Sequence, residues 1–357
     1  MLVAGPLKRM LSPLVNPQVF DFWASHLSPT LSWERPLAKV LARRVEARDT
    51  VTLVLRPNRH VGGFAPGQHV SVTVSVNGVR LTRSYSPSWL GRRRMAITVK
   101  KMPGGKVSEW LTECCDEGDV LEIGPAFGDM TQPSLERPWL LVAAGSGITP
   151  MMSLLRAAAT LERPLPPIAL LYWARTRADL CFGRELDQLA ARLPSLTVQR
   201  LLTRESVLLP EEHSGRPDET LLRALVPDLA AQQAYVCGPA GFVATVRTLL
   251  EGAVATCQAE AFSLPDVSVV EGQPVQVTLA RSGRVLSVPA GAPLLAALEA
   301  RGERPAHGCR MGICNTCVCG KLAGTTGDLL GGGLSQEPMG AMKLCVSTAR
   351  TDITLDL

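Results

Sequence analysis

The chain has 357 residues, 46% of them hydrophobic and 19% charged, which is long enough for two or three domains that each bury a core. Its net charge of +5 is carried by scattered arginines, so no basic stripe points to nucleic acid as a partner. Ten cysteines are too few for a disulfide scaffold of this length, and no cleavage pattern follows Met1, so the expected setting is reducing and cytoplasmic.

Residues 1–35 mix apolar and turn-forming side chains and are expected to form an N-terminal extension, with a short helix around Gln18 to His26. Its aromatic residues Phe20, Phe22, Trp23 and Trp33 either pack on the body or form a docking surface. Residues 36–133 turn to strands. Val70, Val72, Val74 and Val76 alternate with polar neighbours, and Asn77-Gly78 then supplies a two-residue hairpin turn. Further strands at Met95–Lys100 and at 120–123 predict a small antiparallel barrel.

Arg83-Ser84-Tyr85-Ser86 follows a strand of that barrel, and Gly105-Lys106-Val107-Ser108 opens a helix whose backbone N–H groups suit a pyrophosphate. Arg83 can neutralise a flavin phosphate, Tyr85 can lie against the flavin ring, and Ser86 can reach the ring's N5 edge. The plainer reading of the tetrad is a strand end with a buried tyrosine. In this order and spacing the two motifs resemble the ferredoxin–NADP reductase superfamily, which implies FAD as the flavin.

Residues 134–257 read as an α/β nucleotide domain. The uncharged run from Pro138 to Leu155 is interrupted by Gly145, Ser146, Gly147, Thr149 and Pro150, so it is a buried strand, a phosphate-binding turn and a helix rather than a membrane span. Strands and helices then alternate, predicting a parallel sheet covered on both faces. Cys237-Gly238-Pro239 resembles the superfamily's turn beside the nicotinamide, which implies a catalytic-site role for Cys237; its plain reading is a small buried side chain. Arg175 and Arg177 stand where an NAD-preferring site would carry an acid. They suit a 2′-phosphate, so NADPH is expected as donor, with NADH the alternative.

Glu260 belongs to an acidic-aromatic tail that in the superfamily lies near the flavin, and 258–273 reads as a linker. In 274–357 the order strand, turn, strand, helix resembles the β-grasp of plant-type ferredoxins. Cys309, Cys314 and Cys317, spaced C-x4-C-x2-C with a distant Cys345, match the ligand run of a [2Fe–2S] cluster. Zinc or buried free thiols are the competing readings, and Cys319 is expected to be a bystander.

The order of modules resembles the one-chain reductases of oxygenases and acyl desaturases. That implies an oxidoreductase passing electrons from NADPH through FAD and a [2Fe–2S] cluster to an acceptor. The expected acceptor is a terminal oxygenase, for instance ring-hydroxylating, or a membrane fatty-acyl desaturase, with peripheral membrane association through the latter. A redox sensor and a pure interaction protein are the other classes; intact cofactor motifs disfavour both.

Overall fold

A computed structural model describes residues 16–91, 93–262, 273–330 and 333–357. The first fifteen residues of the expected N-terminal extension and most of the expected linker lie outside the described residues.

The expected N-terminal helix runs Pro17–Leu27, with the Asn16 side chain accepting from the N–H groups of Gln18 and Val19 and proline in the first turn. Phe20 packs edge-on against the buried Trp33 at 5.2 Å, whereas Phe22 and Trp23 stay exposed. The packing expectation therefore holds for Phe20 and Trp33, while Phe22 and Trp23 are left exposed.

The flavin unit is a seven-stranded antiparallel sheet: β1 (Leu37–Ala47), β2 (Thr50–Pro57), β3 (His69–Val76), β4 (Val79–Tyr85), β5 (Pro87–Trp89), β6 (Met95–Lys100) and β7 (Val120–Phe127), in the order β4-β3-β7-β1-β2-β6-β5. The alternation of β3 sends Val70, Val72 and Val74 into a core with Leu53, Leu55, Ile97, Leu121 and Ile123. Each such side chain contributes about 1.5–3 kcal/mol on burial. Asn77 and Gly78 make the predicted turn with φ of 52° and 76°, the left-handed pair that matches strand twist. Arg83, Ser84 and Tyr85 do not follow the strand, as the sequence suggested, but are its last residues.

The nucleotide unit is a six-stranded parallel sheet, β8 (Trp139–Ala144), β9 (Ile168–Ala174), β10 (Leu196–Leu202), β11 (Glu212–Ser214), β12 (Gln233–Gly238) and β13 (Thr256–Ala261), ordered β11-β10-β9-β8-β12-β13. Every residue of β8 and of β12 is buried, as expected of strands covered on both faces. Two strands were missed. β11 is only three residues long, and β13 is an exposed polar edge that offers no hydrophobic signal. β12 is consequently not the final strand, and β13 crosses the boundary expected between 257 and 258. Helix Ile148–Ala158 follows a 3-10 turn at Gly145–Gly147, so Thr149 and Pro150 lie inside its first turn. Sheet order reverses between β8 and β12, so the ends of these two strands form a switch point, where open α/β sheets bind ligands.

The C-terminal unit carries β14 (Val275–Leu279), β15 (Val285–Val288), β16 (Val318–Ala323), β17 (Thr326–Asp328), β18 (Leu334–Ser335), β19 (Met339–Lys343), β20 (Ser347–Ala349) and β21 (Ile353–Leu355). They form sheets ordered β15-β14-β21-β16-β19 and β18-β17-β20, packed with helix Leu294–Glu299. Parallel pairing of β14 with β21 joins the two ends of the unit.

Candidate functional site

Residues from all three units converge on one cavity of about 290 Å3. The barrel supplies Arg83, Ser84, Tyr85 and Ser86 from the end of β4, with Gly105, Val107 and Ser108 from the facing helix start. Ser146 and Thr149 come from the turn after β8, and Cys309, Arg310 and Met311 from the cysteine loop. Lys106 stays exposed beside the cavity at the N-terminus of helix Lys106–Glu113.

Electrostatics fit an anionic, planar occupant. Burial, then the neighbouring Arg310, lowers the Arg83 pKa; Arg310 is already paired with the Glu299 carboxylate, so Arg83 is the guanidinium left for an anionic occupant. Burial pushes the Tyr85 phenol up, which keeps it neutral. Ser84 Oγ is buried without a hydrogen-bond partner, an orphan that a bound group would satisfy. Ser108 spends its hydroxyl on the loop itself, accepting from Met102 N–H at 3.1 Å and donating to Gly105 O at 2.9 Å. Only its backbone N–H remains for a ligand. A Cβ on Gly105 would lie 2.5 Å from Ser108 Oγ, so glycine is required for this loop to close. These residues fit a flavin.

At the switch point Gly147 meets Cys237 so closely that a Cβ on it would sit 2.1 Å from the Cys237 carbonyl oxygen. Gly145 adopts φ of 55°, Thr149 donates to Ser146 O at 3.1 Å, and Pro150 occupies the first helical turn. Cys237 is fully buried, and burial followed by Glu260 raises its thiol pKa well above the ordinary value. Gly238 ends β12, and Pro239 caps helix Ala240–Leu250.

The two candidate arginines part ways. Arg177 pairs with the Glu212 carboxylate through Nε at 2.7 Å and Nη2 at 2.6 Å, while its N–H donates to Glu205. Arg175 is exposed at the end of β9. Of the two, it alone has a guanidinium uncommitted to a carboxylate among the described contacts.

Glu260 lies on β13, opposite Cys237 in register, and its carboxylate hydrogen-bonds His69 Nε2. His69 Nδ1 is in turn 3.0 Å from Ser86 Oγ. Glu260 thus reaches the cavity through His69, which the sequence reading missed. The available signal was one polar residue opening a strand of alternately buried valines.

The four cysteines gather as two pairs, with the Cys309 and Cys314 thiols hydrogen-bonded and likewise Cys317 and Cys345. In each pair one thiol is held low and its partner raised, because one proton is shared between them. Backbone N–H groups of Met311 and Cys314 donate to Cys309 Sγ, each at 3.3 Å, and Gly312 N–H donates to Cys345 Sγ at 3.2 Å. Left-handed φ at Arg310 (61°), Gly312 (77°) and Asn315 (57°) turns those N–H groups inward. Among the described residues no three His, Cys, Asp or Glu side chains form a single-ion site, and two thiol pairs are what two irons require. The set fits a [2Fe–2S] cluster. Cys319 points elsewhere, buried on β16 with its pKa pushed up to about 11 mainly by burial, as expected of a bystander.

Family models match in the same order: an oxidoreductase FAD-binding domain over residues 38–131, an oxidoreductase NAD-binding domain over 141–248 and a 2Fe-2S iron-sulfur cluster binding domain over 277–350. An NADPH oxidoreductase of Mycobacterium tuberculosis is 32% identical, covering 98% of this chain and 92% of its own. The glycine betaine monooxygenase reductase subunit of Pseudomonas aeruginosa is 29% identical over 97% of this chain and all of its own. The crystal structure of phthalate dioxygenase reductase superposes with a TM-score of 0.59 at 25% identity, covering 90% of this chain and 97% of that one. The chain therefore belongs to the flavin- and pyridine-nucleotide-dependent oxidoreductases of the phthalate dioxygenase reductase type, with a C-terminal 2Fe-2S ferredoxin domain.

Proposed function

We propose that this oxidoreductase takes electrons from NADPH and delivers them to a terminal oxygenase, and that the residues gathered above carry out the transfer. The observation that carries the reading is the single cavity walled by Arg83–Ser86, by Ser146 and Thr149, and by Cys309–Met311. It brings the expected flavin residues, the nucleotide turn and the cluster loop to one place.

A flavin held there would supply the conversion of a hydride to two single electrons, and a [2Fe–2S] cluster held by the cysteine loop would supply their onward transfer one at a time. Arg83, with the N–H groups of Lys106, Val107 and Ser108 at the helix start, binds the phosphates, and Ser84 Oγ supplies a further hydrogen bond. Tyr85 forms an apolar wall that excludes water from the ring. Gly145 and Gly147 let the nucleotide phosphates approach the start of helix Ile148–Ala158. Cys237, Gly238 and Pro239 shape the nicotinamide end of the switch point. Cys309 with Cys314 would hold one iron and Cys317 with Cys345 the other. NADPH is preferred over NADH because Arg175 remains available for a 2′-phosphate.

Anaerobic titration tests the reading directly. Full bleaching of the flavin and cluster bands of the loaded protein takes three electrons, so it should be complete at roughly one and a half equivalents of NADPH. A cluster that stays oxidised while the flavin is reduced would refute the electron path.

A membrane acyl desaturase is the second reading for the acceptor, with peripheral membrane association through it. The exposed Phe22, Trp23 and Leu27 on helix Pro17–Leu27, at 59%, 66% and 84%, favour a docking face of some kind there. Phe22→Ser with Trp23→Ser should slow partner-coupled turnover and leave ferricyanide reduction intact. Equal loss of both activities would remove the docking role. No helix among the described residues is long and apolar enough to cross a membrane.

A further inference from the structure

Ser86, His69 and Glu260 form a continuous hydrogen-bonded chain across the boundary between barrel and nucleotide sheet. Ser86 is 4% and His69 2% exposed, and both line the cavity. Phe262 meets the imidazole edge-on at 5.8 Å and Phe127 lies at 5.9 Å, so the ring is held in place. The packing is tight behind it too: a Cβ on Gly128 would lie 3.2 Å from His69 Cδ2 and 3.6 Å from Glu260 Oε1.

The chain has a direction, set by which groups own protons. A carboxylate can only accept, so the proton between Glu260 and His69 belongs to Nε2. A neutral imidazole has only one N–H, which leaves Nδ1 bare and able only to accept. The Ser86 hydroxyl must then donate its single proton to Nδ1, across 3.0 Å. Toward the cavity Ser86 presents lone pairs alone.

We propose that Glu260 and His69 act as positioning residues that fix Ser86 as a hydrogen-bond acceptor at the flavin edge, and thereby favour reduced over oxidised flavin. Reduced flavin carries a hydrogen on N5 and can donate to Ser86, whereas oxidised N5 is itself an acceptor and meets lone pairs. The inference rests on the reading that Ser86 faces N5.

Midpoint potentials of the flavin in the full-length, loaded protein report the ratio of reduced to oxidised flavin binding. His69→Leu changes no charge and frees the Ser86 proton to point into the cavity. The ratio should fall roughly tenfold, a potential about 30 mV more negative for a two-electron couple. Ser86→Ala should move it the same way, since the acceptor is lost. Glu260→Gln alone combines loss of the bias with loss of a negative charge, which by itself would raise the potential. In the His69→Leu background only the charge effect remains, so its shift should be the more positive of the two.

A potential moved by Ser86→Ala but not by His69→Leu would overturn the chain and keep the flavin-edge reading. One unmoved by Ser86→Ala would overturn both. Nitrogen-15 spectra of histidine-labelled protein, with and without flavin, need no variant: they should show a neutral His69 with its proton on Nε2, and a proton on Nδ1, in the other tautomer or in an imidazolium, would overturn the proposal.

Discussion

Arg177 and Arg175 stand two residues apart and are expected to behave differently when reversed in charge. Arg175→Asp should shift preference from NADPH toward NADH by roughly ten- to hundredfold in kcat/KM, because a charge-assisted contact to the 2′-phosphate is lost. Arg177→Asp should instead place a carboxylate against the buried Glu212 and lower Tm with either nucleotide. Equal shifts in preference from both substitutions would contradict this division. The same pair sets a pH dependence. Hydrogen bonds from Arg177 hold the Glu212 pKa below its usual value, so its stabilising effect is present above the ordinary carboxylate pKa and lost as pH falls through the lowered one. The Tm gap between wild type and Glu212→Gln should therefore close as the solution is acidified. A gap unchanged by pH would deny the linkage. Among the cysteines, Cys345→Ala should abolish cytochrome c reduction drawn from the cluster while NADPH still bleaches the flavin. Cys319→Ala should leave both intact, and the reverse pattern in iron content would refute the ligand set.

At the scale of elements, the contact between the turn after β8 and the end of β12 tolerates no side chain. Gly147→Ala would drive a Cβ into the Cys237 carbonyl and should cost about 1–3 kcal/mol of stability, along with nucleotide affinity. Unaltered thermal unfolding and NADP+ binding would show that the turn can move aside. Elements with a strong local pattern were legible in the sequence: the alternating valines of β3, the left-handed turn at Asn77-Gly78, and the continuous apolar run of β8. β13 was not, because an edge strand reading Thr-Cys-Gln-Ala-Glu-Ala has neither period nor bulk, and only its pairing with β12 makes it a strand. That loss hid His69 as well. Its meaning depends on Glu260, a residue near in space yet 191 positions away in sequence, and no local pattern encodes such a distance. Arg310 and Met311 carried no expectation of their own, since their place on the cavity wall is set by packing between units.

The molecule as a whole should purify brown-yellow, with about two irons and one FAD per chain, if every module is loaded. Zinc in place of iron, or FMN as the released flavin, would contradict the site assignments. The cavity has one further consequence, which concerns the order in which the polypeptide is made. Its first walls, Arg83 to Ser86, leave the ribosome early, whereas Cys309 to Met311 emerge near the end of synthesis. Until then the groove lies open on that flank, so a nascent or truncated polypeptide can offer a flavin only a trough. Completion of the C-terminal ferredoxin unit is what adds the wall on that flank.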